Sequence, residues 1–181
     1  MRVPSVSWLG LLLLLLSVGA GCGRRAAPVL TAEALRNASY HAEYVEQGRV
    51  TLRDGRYENA GETPVRITLL DPLAFGDLDG DGAVDAAALL ACESGGSGVF
   101  VQLAPVLNRR GRPLNPATTF LGDRVKVERL RIEAGQVVVD LVTQGPDDPM
   151  CCPTRREARF YRLRGRALEL TGVVSPPPPA R

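Results

Sequence analysis

Short stretches of alternating apolar residues, each closed by a glycine-bearing turn, constrain this chain more than any other feature of its sequence. Val65, Ile67 and Leu69 alternate with Arg66 and Thr68, as a half-buried strand should. Asp54-Gly55 separates residues 50–53 from 56–58 and supplies the positive φ of a tight hairpin turn. Val99, Val101, Leu103 and Leu107 share one face of a further strand. Val125 and Val127 fall on one parity, Leu130 and Ile132 on the other, and a bulge at Glu128-Arg129 would bring all four to the same side. The Ala134-Gly135 turn leads into residues 136–142 with Val137, Val139 and Leu141 inward; Arg164-Gly165 closes a last hairpin between 158–163 and 167–171. One short helix is predicted at the start, where Thr31 can cap, Glu33 occupies the first turn, and Ala32, Ala34 and Leu35 are good formers. The expected fold is mainly β, an antiparallel sandwich or strongly curved sheet of about eight short strands with one short N-terminal helix. No repeat of about 40 residues is present, which argues against a propeller.

Composition excludes several functions. With 22 Lys plus Arg against 20 Asp plus Glu, the net charge of +2 is too small to argue for nucleic acid as a partner. His41 is the single histidine, so a Ser-His-Asp triad could use only that ring, and there is no HExxH zinc motif. Beyond Trp8 in the leader the aromatic residues are four Phe and four Tyr, few for a carbohydrate- or choline-binding surface.

The first 21 residues read as an address. Arg2 precedes an apolar run, residues 6–20, that contains six consecutive leucines, Leu11 to Leu16. That run falls short of the ~20 residues needed to cross a bilayer as a helix and suits a signal-peptide core. It ends Val18-Gly19-Ala20-Gly21-Cys22, which resembles the lipobox of bacterial lipoproteins, although Gly19 stands where that family prefers an aliphatic residue. The resemblance implies cleavage before Cys22 and acylation of its thiol, so the membrane becomes a partner through N-terminal acyl chains. Gly23 lacks the Asp associated with inner-membrane retention, which leans toward the outer membrane. The expected organisation is a signal peptide at 1–21, acylated cysteine and tether at 22–30, one β-rich domain at 31–172 and a Pro-rich disordered tail at 173–181.

The strongest chemical signal is Gly76-Asp77-Leu78-Asp79-Gly80-Asp81-Gly82-Ala83-Val84-Asp85. Carboxylates fall at loop positions 1, 3, 5 and 9, and Ala83 at position 7 can offer its carbonyl. Calcium takes six to eight hard oxygens, which a tight loop with alternate residues turned inward can supply. No basic residue lies between Arg66 and Arg109, so the four carboxylates are expected to repel one another until a cation binds. Ala88, not Glu, stands at position 12, so the loop departs from an EF-hand. It is closer to the FG-GAP and VCBS type of calcium loop, DxDGDGxxD, which joins two β-strands. That resemblance implies Ca2+ held by Asp77, Asp79, Asp81, Ala83 and Asp85. Those families build propellers from many copies; one copy is present here, so only the loop is carried over.

Residues 35–170 also resemble a family of secreted bacterial lipoproteins through VTLRDGRYE, FGDLDGDGAVDAAALL, GGSGVFVQLAPVLN, ATTFLGDRVKVE and GPDDPMCCPT. The likeness implies lineage and compartment and carries no activity. Three further cysteines, Cys92, Cys151 and Cys152, would oxidise outside the cytoplasm. A bond from Cys92 to Cys151 or Cys152 would close a loop worth roughly 4 kcal/mol. A vicinal Cys151–Cys152 bond is strained, because neighbouring Cα atoms are only about 3.8 Å apart, and the absence of any bond is the third alternative. Glu93-Ser94-Gly95-Gly96-Ser97-Gly98 fails the GxSxG pattern and reads as a hairpin loop. Asp147-Asp148 reads as a solvated loop, and the arginines from Arg155 to Arg166 as the wet face of an edge strand.

The function these features favour is that of an exported, membrane-anchored lipoprotein of the cell envelope. Its calcium-stabilised β-domain would bind an unidentified protein or other envelope partner. The rival readings are a metal-assisted hydrolase using the aspartate loop and a thiol redox-responsive envelope protein.

Overall fold

A computed structural model describes residues 28–175 except 60, 62, 63 and 150. The leader, Cys22, most of the tether and residues 176–181 of the proline tail lie outside the described residues, while Val173 and Val174, expected in the disordered tail, complete the last strand. Twelve strands and one helix follow one another: α1 (Ala32–Arg36), β1 (Ser39–His41), β2 (Arg49–Thr51), β3 (Arg56–Asn59), β4 (Val65–Gly76), β5 (Asp85–Glu93), β6 (Phe100–Arg109), β7 (Arg112–Leu114), β8 (Thr119–Asp123), β9 (Lys126–Glu133), β10 (Gln136–Thr143), β11 (Arg155–Arg164) and β12 (Ala167–Val174). The strands beyond the expected eight are short ones; β1, β2 and β7 have three residues each. α1 starts as its sequence requires, with Thr31 Oγ1 accepting the Ala34 N–H at 3.1 Å.

Every pairing is antiparallel. The largest sheet runs β3-β4-β5-β6-β7, with β8 added to β6; a second runs β12-β11-β10-β9; and β1 pairs with β2 apart from both. The large sheet is the middle layer. Ala86, Ala88, Leu90 and Cys92 of β5 pack with Leu30, Leu35, Tyr40 and Leu52 on one side. Ala87 and Leu89 pack on the other side with Val137, Val139 and Leu141 of the four-stranded sheet. Burial on both faces explains why β5 reads Asp-Ala-Ala-Ala-Leu-Leu-Ala-Cys-Glu with no polar alternation.

The bulge expected near Glu128-Arg129 is present. Arg129 pairs with Asp140 and Val127 with Leu141, so Glu128 is the extra residue. The hairpin expected around Asp54-Gly55 is only a turn. Asp54 and Gly55 have φ of +51° and +81°, and Arg53 bridges Arg56, but the chain then divides. β2 goes to β1 and β3 goes to β4, because Val50 and Leu52 are drawn into the core over the middle sheet. A second correction concerns the arginines. β11 is an interior strand, and the charges of its first half are paired: Arg155 and Arg159 with Glu157, and Arg156 with Glu128 of β9.

Candidate metal centre

The aspartate run is the connection between β4 and β5, which pair down to Gly76 and Asp85. Gly80 and Gly82 both sit at φ near +80°, where a side chain would be strained, and this lets the chain coil within eight residues. The turn is held by its own carboxylates. Asp77 accepts the Gly80 N–H through Oδ1 at 2.7 Å and the Gly82 N–H through Oδ2 at 3.0 Å. Asp79 Oδ1 accepts from Asp81 N–H at 3.3 Å, and Asp81 Oδ1 from Ala83 N–H at 2.8 Å.

Asp85 anchors the loop to the sheet. It is fully buried, and its two oxygens accept the Leu78 N–H at 2.8 Å and the Asn108 N–H at 2.7 Å. Burial raises its pKa above the ordinary carboxylate value, those two N–H groups oppose the rise, and the charges of Asp79 and Asp81 add to it. Asn108, itself buried, donates through its amide to the carbonyls of Val84 and Pro28 and accepts the Gly111 N–H.

One oxygen each of Asp77, Asp79 and Asp85 lies within 4.8 Å of the other two. Oxygens on opposite sides of one metal ion stand about two metal–oxygen bonds apart, so a group this close could hold a metal ion. Asp81 stands outside that group. Its Oδ2 accepts from Arg109 Nη1 at 3.1 Å, while Arg109 Nη2 donates to Asp79 Oδ2 at 2.8 Å. The expectation of four carboxylates without a base is therefore corrected: Arg109, at the end of β6, offsets one of their charges by pairing with Asp79 and Asp81. Ala83 is half-buried, and its N–H is engaged by Asp81.

Sequence reasoning missed Asn108 and Arg109. The β5–β6 register runs from Cys92 opposite Phe100 to Ala86 opposite Val106, and continued by two residues it brings Asn108 across from Val84. The signal existed, but it could be read only once that hairpin's register was known.

Beside the loop lies an open cleft of about 790 Å3, bordered by Asp77, Asp79, Leu107, Arg109, Ile132 and the Ala134-Gly135 and Arg164-Gly165 turns. Among its described lining residues the carboxylates are Asp77 and Asp79 alone.

The cysteines are arranged differently from the favoured reading. Cys151 and Cys152 form the vicinal disulfide, and Cys92 is a free, buried thiol. Cys92 points into the core on the face of the middle sheet turned away from β10 and β11, whose connecting loop carries the exposed pair, so no bond between them can form. Burial pushes the Cys92 thiol up to about 12, which leaves it without thiolate character at neutral pH. Asp148 is remote from the aspartate loop in function: it accepts N–H bonds from Gly145 and Thr154 and the Thr154 hydroxyl, holding its own loop. Residues 94–99 form the β5–β6 hairpin loop, with Gly95 at φ +78° and Glu93 ending β5.

Comparison of the chain with protein-family models, with curated proteins and with solved structures finds no match.

Proposed function

We propose that this chain is an exported lipoprotein, anchored to a membrane of the cell envelope through acylated Cys22, whose β-domain is stabilised by calcium and serves as a binding module for another envelope component. The observation that carries the calcium half is the approach of Asp77, Asp79 and Asp85 to within 4.8 Å at the tip of a β-hairpin. The lipobox-like Val18-Gly19-Ala20-Gly21-Cys22 carries the anchor. A bound ion would be held by those three carboxylates and would join the tip of β4–β5 to the end of β6 through Asp85 and Asn108.

Metal-assisted hydrolysis is the second reading, favoured by the cleft beside the loop. Such a reaction needs a base distinct from the ion's own ligands. The carboxylates lining the cleft belong to the loop itself, so the binding reading is preferred. A redox-responsive role draws on the exposed Cys151–Cys152 bond, but Cys92 faces another core and is out of reach as a resolving thiol.

The test is thermal unfolding of the purified protein in calcium and in chelator. An ion present at ~100-fold over its Kd and bound only to the folded state adds about 2.7 kcal/mol. For a domain of this size that raises Tm by about 5–10 °C. Magnesium should do less, because its shorter bonds demand an octahedral set. Asp79→Ala should erase the effect; identical curves in calcium and chelator for the unmodified protein would reduce the loop to a turn. For the anchor, Cys22→Ser should abolish acyl labelling and release the protein from the membrane fraction, and unchanged fractionation would refute it.

A further inference from the structure

Arg109 takes no part in the backbone hydrogen bonds of the turn. The N–H groups of Leu78, Gly80, Asp81, Gly82 and Ala83 are all taken by aspartate oxygens of the loop, and the β6–β7 turn is tied by Asn108. What Arg109 does is place one nitrogen on Asp79 and another on Asp81. Asp79 belongs to the group that can share an ion; Asp81 is the loop carboxylate left out of it. A guanidinium thus holds one carboxylate of the ion-sharing group and the loop carboxylate left out of it.

We infer that Arg109 is a tethered counter-cation that competes with calcium for Asp79 and Asp81, and so sets the calcium concentration at which the loop fills. The inference rests on the calcium reading of the loop. A metal cation on Asp79 repels the guanidinium, and Asp81 can turn to the ion only by leaving Arg109. Arg109 is about half exposed, with its side chain 45% accessible, so water screens the pair and the competition is partial. The free protein keeps a folded loop whose charge Arg109 offsets in part, and calcium exchanges one cation for another.

Calorimetric titration of the purified protein with calcium tests this at low ionic strength. Arg109→Gln should bind calcium roughly three- to tenfold more tightly than the unmodified protein, the scale of one exposed charge-assisted pair. Its Tm in chelator should fall. Arg109→Lys, which keeps the charge and loses the fork, should lie between. Side-chain nitrogen NMR of the unmodified protein gives a reading that needs no variant: the Arg109 guanidinium signals should shift with the same midpoint as the Gly80 and Gly82 amides. Equal or weaker calcium binding by Arg109→Gln, with the unmodified protein binding, overturns the competition and leaves the calcium reading standing. If neither binds at millimolar calcium, the calcium reading itself falls and takes the inference with it.

Discussion

Asp85 is the loop carboxylate that water does not reach, and its two oxygens are engaged by N–H donors from the loop itself and from β6. An asparagine there has one acceptor oxygen, so either Leu78 or Asn108 would face an amide NH2. Leaving one buried N–H unsatisfied costs about 1–3 kcal/mol. Asp85→Asn should therefore lower the unfolding free energy measured by urea titration by that amount, in chelator as well as in calcium. A loss seen only with calcium present would make Asp85 a ligand and nothing more. Asp147→Ala is the control, since Asp147 is exposed and far from the loop in role, and it should change stability by less than about 0.5 kcal/mol.

At the scale of elements, the loop's position depends on how β4 leaves its sheet. At Gly76 an added Cβ would stand 2.7 Å from Cγ2 of Ile132 and 2.9 Å from its Cβ, so β4 and β9 touch there without room for a methyl. Ile132 reaches that point because the Glu128 bulge has shifted its parity. Gly76→Ala should cost about 1–3 kcal/mol through overpacking. Shortening the neighbour in the same chain, Ile132→Ala, should recover part of it. A Gly76→Ala protein with unaltered Tm would mean that the two sheets are free to separate at this end.

Across the whole molecule, β5 belongs to two cores at once. Leu89 and Leu90 are neighbours in sequence and fully buried, yet they point to opposite sides of the middle sheet. Leu89→Ala and Leu90→Ala should each destabilise by about 2–5 kcal/mol. Because the layers share this strand, either substitution should shift one cooperative transition, seen alike by far-UV and near-UV circular dichroism. Two resolved transitions in the Leu90→Ala protein would show that the N-terminal layer folds apart from the sandwich.

The features legible in the sequence are those set within a few residues. Thr31 caps α1 because its side chain reaches a donor three positions away. Period-two alternation marks the first half of β4, and the reversal of parity between Val127 and Leu130 marks the bulge, since successive side chains must leave opposite faces of a strand. Four aspartates with interleaved glycines mark a tight loop between strands, as found. What lies opposite each strand was not legible, because pairing is chosen by which faces can be buried together across long separations in sequence. Hence β2 and β3 part after Asp54-Gly55, β11 lies inside its sheet, and Cys92 is sealed in a core away from the other thiols. The charge on the aspartate loop is decided the same way: Arg109 is 24 residues beyond Asp85 in the chain, and only the return of β6 along β5 sets it on Asp79 and Asp81.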